Sequence, residues 1–374
     1  TIEDGSAYMQ STLWTGNGSS LSVTQDGTTG QQTANFAKNS TFKPDLLWLQ
    51  GREAYPPNSS LYDVQRSDNT NPERLTPNQN FAAHDDNESS ANKAFSSFDV
   101  KGFSFQGGGN NSAPNANTKT MVAWQWLADN TTGSSNTEGR KASDSSVITS
   151  TVTVNQTAGF SIVSWQGNGE NSTIGHGLGA VPKWILIKNK DETQDWAVYS
   201  SEIPNGQYLI LNDDAVSSGT NGASHFNDSQ PNSTIFNVGT NLRTNGSGDA
   251  MIAYCWCEKP GFSKFGSYVG NGSSSDGPYV ELGFSASWIM FKRITGSDAS
   301  WVVYDNMRDP HNVAETMSIV ENPQGDNTGN EMDWLSNGVK IRGSSGAYNG
   351  SSNEYFYMAF AENPFAGTTP ITAR

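Results

Sequence analysis

Short apolar runs alternate with long polar stretches along the whole chain, and the runs recur in a fixed order. One kind of run ends in an aromatic residue, followed one residue later by a Gly-Asn-Gly turn. It occurs at 14–18, 165–169 and 268–272. Asn and Gly tolerate the positive φ values that tight hairpin turns require. Each of these strings therefore predicts the end of a strand and a turn.

Two further kinds of string follow each of these turns. The second is a continuous apolar run, at 44–49, 182–187 and 286–291. An uninterrupted apolar run of this length fits a strand that is covered on both faces. A short run after it ends in a tyrosine, at Tyr62, Tyr199 and Tyr304. The third string closes each copy, at 121–126, 251–256 and 357–362, with an alanine in common: Ala123, Ala253 and Ala359.

This recurrence predicts an all-β protein made of three tandem antiparallel β-sandwich modules of jelly-roll or lectin-like type. About a hundred residues per copy is typical of one sandwich, and few windows have a helical period. The predicted domains are a divergent module at 1–128, a Ser/Thr/Asn/Gly-rich linker at 129–157, a module at 158–258, and a module with a C-terminal tail at 259–374. Within the linker, 146–154 alternates weakly and is a candidate strand.

The composition changes this picture in one respect, the nature of the core. Hydrophobic residues make up only 34% of the 374 residues, which is low for a globular chain. Disordered chains are poor in aromatic residues, whereas this one has 11 Trp, 12 Tyr and 17 Phe. We therefore expect an aromatic core wrapped in polar loops.

Charge and cysteine content limit the partners and the compartment. The formal net charge of −15 disfavours nucleic acid and anionic membranes as partners. Cys255 and Cys257 are too close on one strand for a disulfide, so free thiols are expected. The N-terminus has no signal-peptide pattern, which favours synthesis in a cytoplasm.

The usual catalytic patterns are missing from the sequence. It has no nucleotide-binding loop, no hydrolase elbow and no zinc-ligand spacing. We therefore predict a non-enzymatic protein with no cofactor and no metal site. The acid pairs at 85–86 and 213–214 are interpreted as solvated loop charge, and His176 as part of a glycine-rich turn.

Aromatic residues beside turns are the remaining candidates for ligand contacts. Flat rings can stack on sugar faces while polar loop groups fix the hydroxyls. The candidate ligand-binding residues are Trp165, Trp196, Tyr268 and Trp301. The alternative for each is a place in the core.

Several strings resemble one known family. They include Gly-Phe-Ser-Ile-Val-Ser at 159–164, the turns at 167–169 and 175–179 with Pro182, and 254–255, 262–268 and 357–365. They are similar to uncharacterised tail-fibre or virion-surface proteins of tailed bacteriophages, marine ones especially. The likeness covers residues 1–374 almost throughout. No catalytic residues are established for that family, so the resemblance implies none here.

The resemblance implies a virion-surface protein, made in the host cytoplasm and released by lysis. Its partners would be other virion proteins and a host surface polysaccharide, with a homotrimer as the favoured assembly and tandem sandwiches forming a rigid rod or spike. The leading hypothesis is a tail fibre or adhesin that contacts host glycan. The alternatives are a capsid decoration or head-fibre protein, and a polysaccharide-degrading tailspike. Tailspike solenoids have shorter repeats of roughly 20–30 residues, which disfavours the last.

Overall fold

The computed structural model describes residues 2, 4–27, 40–54, 56–66, 72–85, 95–107, 113–129, 133–216, 222–322 and 324–364. Nearly all regular structure in these ranges is β-strand, which confirms the predicted all-β class. None of the helices in the described ranges is long and apolar enough to span a membrane.

The first repeat begins with a short 3-10 turn, Gly5–Ala7, and continues with strands. They are β1 (Met9–Thr15), β2 (Leu21–Thr24), β3 (Leu46–Gly51), β4 (Ser60–Asp63), β5 (Glu73–Arg74), β6 (His84–Asp85), β7 (Phe95–Asp99), β8 (Gly102–Phe105) and β9 (Thr120–Trp126).

The second repeat is preceded by a hairpin, β10 (Ser134–Lys141) and β11 (Val147–Asn155). Its own elements are β12 (Phe160–Gln166), β13 (Ser172–Gly175), β14 (Trp184–Asn189), β15 (Ala197–Ser200), β16 (Leu209–Ile210), α1 (Gly222–Phe226), β17 (Ile235–Val238), α2 (Leu242–Asn245) and β18 (Ala250–Trp256).

The third repeat follows without a break. Its strands are β19 (Ser263–Val269), β20 (Tyr279–Glu281), β21 (Phe284–Arg293), β22 (Val302–Asp305), β23 (Ser318–Ile319), β24 (Met332–Leu335), β25 (Gly338–Ile341) and β26 (Glu354–Pro364).

Each repeat contains a main antiparallel sheet with the same strand order. It is β1-β9-β3-β4 in the first repeat, β12-β18-β14-β15 in the second and β19-β26-β21-β22 in the third. The closing strand of each repeat is therefore central, between the first strand and the strand of the apolar run. A smaller set of strands covers one face: β2-β8-β7, β13-β17 and β20-β25-β24.

The central strands are apolar on both sides because each separates two cores. On β9, Met121 and Ala123 face the small sheet with Phe103 and Phe105. Val122 and Trp124 point to the other face. On β18 the same alternation puts Met251, Ala253 and Cys255 in an outer core and Ile252, Tyr254 and Trp256 in an inner one.

The inner faces of all three main sheets meet in one shared aromatic core. The ring of Trp126 packs edge-on against Trp256 at 6.0 Å and against Phe360 at 5.8 Å, centroid to centroid. These three residues are equivalent, because they pair with Leu46, Trp184 and Trp288 at the same place in each sheet. Each repeat therefore closes only its outer core by itself, and the inner core is built from all three repeats.

Hydrogen bonds between repeats close a ring. The carbonyls of Thr76, Ile210 and Ile319 occupy equivalent positions. Each follows the residue that pairs with the position just before the tyrosine of its repeat, namely Leu61, Val198 or Val303. Each carbonyl accepts a hydrogen bond from a side chain of a neighbouring repeat, and the direction from donor to acceptor around the ring is the same at all three junctions. The three donors are Trp196 Nε1 to Thr76 at 3.0 Å, Trp301 Nε1 to Ile210 at 2.9 Å and Gln50 Nε2 to Ile319 at 2.8 Å.

This cyclic arrangement corrects the expected rigid rod. In a rod the second repeat would separate the first from the third. Instead, Arg52 of the first repeat forms a 2.9 Å ion pair with Asp326 of the third. The three sheets surround a common axis, as subunits do in a cyclic trimer, but within one chain.

The predicted linker at 129–157 is largely a β-hairpin. Strand β11 pairs with β12, and β10 pairs with both β11 and β13. The candidate strand at 146–154 is thus confirmed as β11. Its Ile148 and Val152 are buried in the outer core of the second repeat, so alternation with only a few apolar residues was enough to fix one face. The tail after 364 lies outside the described residues.

The predicted equivalence of Ala359 with Ala123 and Ala253 is wrong by two residues. Val163 pairs with Ala253, and its counterpart Gly266 pairs with Tyr357. All three alanines are fully buried on central strands. In the third repeat, however, the small residue of the pair, Gly266, lies on the first strand and the large one, Tyr357, on the central strand, which reverses the sizes of Val163 and Ala253. A Cβ added to Gly266 would lie 2.7 Å from the Tyr357 hydroxyl.

This exchange predicts a compensating pair of substitutions. Gly266→Val should cost about 1–3 kcal/mol by overpacking, and Tyr357→Ala about 3–5 kcal/mol by leaving a cavity. The double variant recreates the Val163–Ala253 pair and should lose clearly less than the sum of the two, as measured by urea denaturation. Additive losses would contradict the register equivalence.

Candidate functional site

The four aromatic residues predicted to contact a ligand have structural roles. Trp196 and Trp301 are fully buried at the junctions between repeats, and Trp165 is 5% exposed in the outer core of the second repeat. Tyr268 is half-buried; its ring stacks on Tyr355 at 5.2 Å and its hydroxyl donates to the Tyr348 carbonyl at 2.6 Å. The structure does not bring the four together: the three tryptophans are buried, and Tyr268 alone among the four is partly exposed.

The Gly-Asn-Gly turns are held by a buried asparagine in each repeat. In the second repeat, Asn245 accepts from the Asn168 N–H at 3.2 Å and donates through Nδ2 to the Asn168 side chain at 2.7 Å. The equivalent residues, Asn115 and Asn349, accept from Asn17 and Asn271 in the same way. The turns are therefore locked against the start of each closing strand.

The glycines of these turns are needed sterically. A Cβ on Gly167 would lie 2.1 Å from the Gly246 carbonyl oxygen, and Gly169 has a φ of +71°. Since both positions exclude larger residues, the repeated string encodes a turn and not a ligand loop. The sequence signal for its partner was present but missed: Asn115, Asn245 and Asn349 all lie five residues before the closing strand.

His176 is a structural histidine. It is fully buried; the Leu178 N–H donates to Nδ1 at 3.2 Å, so Nε2 carries the proton and donates to the Asn232 carbonyl at 3.0 Å. Burial lowers the pKa of His176 to about 4. Cys255 and Cys257 are free and buried, as the sequence predicted, and burial raises the pKa of both thiols.

In the described residues the acidic side chains are not gathered around a metal site. There, no three His, Cys, Asp or Glu side chains come close enough to hold an ion. Asp213 and Asp214 use their backbone carbonyls at the junction between the second and third repeats, where they accept from Trp301 Nε1 at 3.2 Å and Lys292 Nζ at 2.7 Å. Asp86, of the other predicted pair, lies outside the described residues.

A buried ion pair in the first repeat is joined to the second repeat by a tyrosine. Asp63 Oδ2 accepts from Arg66 Nε at 2.5 Å and from the Tyr254 hydroxyl at 2.6 Å, with both charged side chains almost fully buried. Burial alone would lower the pKa of Arg66, but the Asp63 carboxylate and its hydrogen bond raise it above the usual range. Burial raises the pKa of Tyr254, which keeps its proton for the carboxylate.

The first and third repeats are joined by an equivalent arrangement. Asp305 Oδ2 accepts from Arg308 Nε at 2.7 Å and from Trp124 Nε1 at 3.0 Å. Arg308 also bonds Asp326, which pairs with Arg52 of the first repeat. Trp124 and Tyr254 are equivalent positions on their central strands.

At the third junction both partners are different. Ser200 replaces the aspartate and Met358 replaces the aromatic donor at the equivalent positions. Carboxylate and donor are therefore present together or absent together, because a buried carboxylate without donors would be costly. We call these two Asp–Arg–donor groups the junction clamps.

The junction clamps and the indole donors together can hold the three sheets against one another. Among known proteins, a family described as "Domain of unknown function (DUF7483)" matches residues 4–364. The chain belongs to this family. No curated protein and no solved structure matches it.

The first junction clamp can be tested by removing only its donor. Tyr254→Phe should destabilise the chain by about 1.5–3 kcal/mol, because Asp63 loses a hydrogen bond in a buried site. The exposed Tyr279→Phe is the matched control and should change little. Denaturant titration measures both. Equal losses in the two variants would mean that Asp63 does not depend on the second repeat.

The buried His176 predicts a pH-dependent contribution to stability. Its pKa is about 4 when folded and about 6.5 when unfolded, so the unfolded chain binds the extra proton first on acidification. The contribution is complete above about pH 6.5 and is lost as the pH falls towards 4. The free-energy gap between wild type and His176→Gln, measured by denaturant titration at each pH, should shrink over that range. A gap independent of pH would contradict the assignment.

Proposed function

We propose that this chain is a non-enzymatic structural component of a tailed-phage virion surface, in which three sandwiches form one compact block. The observation that carries the proposal is the ring of repeats around a shared core. Buried ion pairs and interlocked indoles make the block rigid, and the acidic surface suits a protein displayed at high copy number. The phage assignment rests on the sequence resemblance.

The compact ring favours a capping or decorating role over an extended shaft. A cyclic block presents three similar lobes about one axis, which matches a partner that itself has threefold symmetry. A homotrimer is not required for this, because one chain already supplies three lobes. Other virion proteins are therefore the expected partners.

The adhesin version is the second candidate, since the exposed loops are rich in amide and hydroxyl groups that can bind sugars. Trp165, Trp196 and Trp301 are buried, so of the four predicted residues only the half-buried Tyr268 stays a candidate for direct contact with a sugar. A glycan array distinguishes it: saturable binding would support the adhesin, and release of new reducing ends from host polysaccharide would instead indicate a tailspike enzyme.

The structural role is tested on purified particles. Mass spectrometry of gradient-purified virions should find the chain in a fixed ratio to the major capsid or tail protein, and labelled antibody should locate it on the outside. A chain found only in the soluble lysate would overturn the proposal. Phage lacking the gene serve as the control for antibody specificity.

A further inference from the structure

In each sandwich, an edge of the main sheet lies beside an edge of the small sheet, and we call the gap between these two edges the seam. In the second sandwich the seam is closed. The hairpin β10–β11 lies there: β11 pairs with β12 of the main sheet, and β10 pairs with β13 of the small one. The result is one continuous sheet of nine strands. Val147–Asn155, the strand against β12, contains no charged residue.

The equivalent seam of the third sandwich is open in the part of the chain that the structure describes. Strands β19 and β20 correspond to β12 and β13, yet each is the terminal strand of its sheet. Near the C-terminal end of β19, the side chains of Ser267 and Val269 are exposed, that of Val269 by 55%.

The backbone of β19 offers unpaired groups along this edge. The Gly270 N–H donates to Asn353 in the direction of the partner strand, so the alternate residues 265, 267 and 269 direct their N–H and C=O groups away from it. Within the described ranges, the Phe265 N–H is met only by the carboxylate of Glu258 at 3.3 Å, and the backbone groups of Ser267 and Val269 have no partner. Glu258 is itself exposed, so it can move aside.

The equivalent edge strand of the first repeat has buried side chains, in contrast to the exposed end of β19. There β1 is the equivalent strand, and its Gln10, Ser11 and Thr12 are all buried. The Gln10 side chain also donates to the Ser40 carbonyl at 2.6 Å. Of the three equivalent strands, only β12 has its outer edge paired by another strand in the described residues.

We propose that the outer edge of β19, residues 265–269, is a docking site for an extended strand of a partner protein. The occupant is an uncharged segment of alternating Ser/Thr and Val, which adds antiparallel to β19 as β11 adds to β12. Equivalence fixes the register: Thr151 faces Ser164 and Thr153 faces Ile162, so the incoming residues face Ser267 and Phe265. In strand addition of this kind, main-chain hydrogen bonds supply most of the binding affinity. The Glu258 carboxylate occupies the Phe265 N–H and so disfavours unspecific pairing of other strands at this edge.

A peptide with the sequence of residues 147–155 serves as the probe. Fluorescence anisotropy with the full chain should give saturable binding. Glu258→Ala should tighten it several-fold, because the Phe265 N–H becomes available. Ser267→Pro should abolish it, because proline has no N–H to donate. A photoreactive group on the peptide should label residues 263–269.

Peptide variants keep the test independent of protein folding. Backbone N-methylation at Thr151 and Thr153 removes the N–H groups that would face β19, and should abolish binding. The same change at Val152 and Val154, which face the opposite side, should leave binding intact. Absence of binding, equal effects of the two methylation patterns, labelling of 160–166 in place of 263–269, or self-association of the chain through β19 would each overturn the proposal.

Discussion

The fold depends on burying both faces of three central strands. Each strand separates an outer core, closed by the small sheet of its own repeat, from an inner core that no repeat can close alone. Where Trp126, Trp256 and Phe360 meet, each repeat supplies one aromatic side chain to its neighbours. Large rings bury more area than any other side chain, which explains how a chain with only 34% hydrophobic residues sustains so large a core.

The polar groups of the ring follow from the same constraint. A shared core needs the repeats at fixed angles, and dispersion forces alone are not directional. The indole donors of Trp196 and Trp301 and the two junction clamps provide direction, since each joins a side chain of one repeat to a defined acceptor of the next. Where the clamp is absent, at Ser200, the second and third repeats follow each other directly in sequence.

Much of this fold could be predicted from sequence, because local patterns encode strands and turns. The Gly-Asn-Gly turns, the apolar runs and the all-β class depend on nearby residues. The continuous apolar run of each copy even indicated two covered faces. What covers the second face could not be predicted, because contacts such as Trp124 with Asp305 join residues far apart in sequence. For the same reason the sequence leaves Trp196 and Trp301 open between a ligand site and the core: an aromatic residue beside a turn has the same local pattern at a junction and at a binding site. Aligning Ala359 with Ala253 is wrong because the true counterpart of Ala253 is the large Tyr357, whose size is compensated by Gly266 on the neighbouring strand. The string that contains Ala359 does not reveal this compensation, because Gly266 lies on another strand.

The central claim is that the three repeats surround one core and do not form a string. Small-angle X-ray scattering on a fraction whose mass is that of one chain tests it most directly. A compact chain of this length has a radius of gyration of about 21 Å, and the ring predicts a value near it. Three sandwiches in a row would give about 30 Å or more, together with the skewed distance distribution of a rod, and that result would contradict the account.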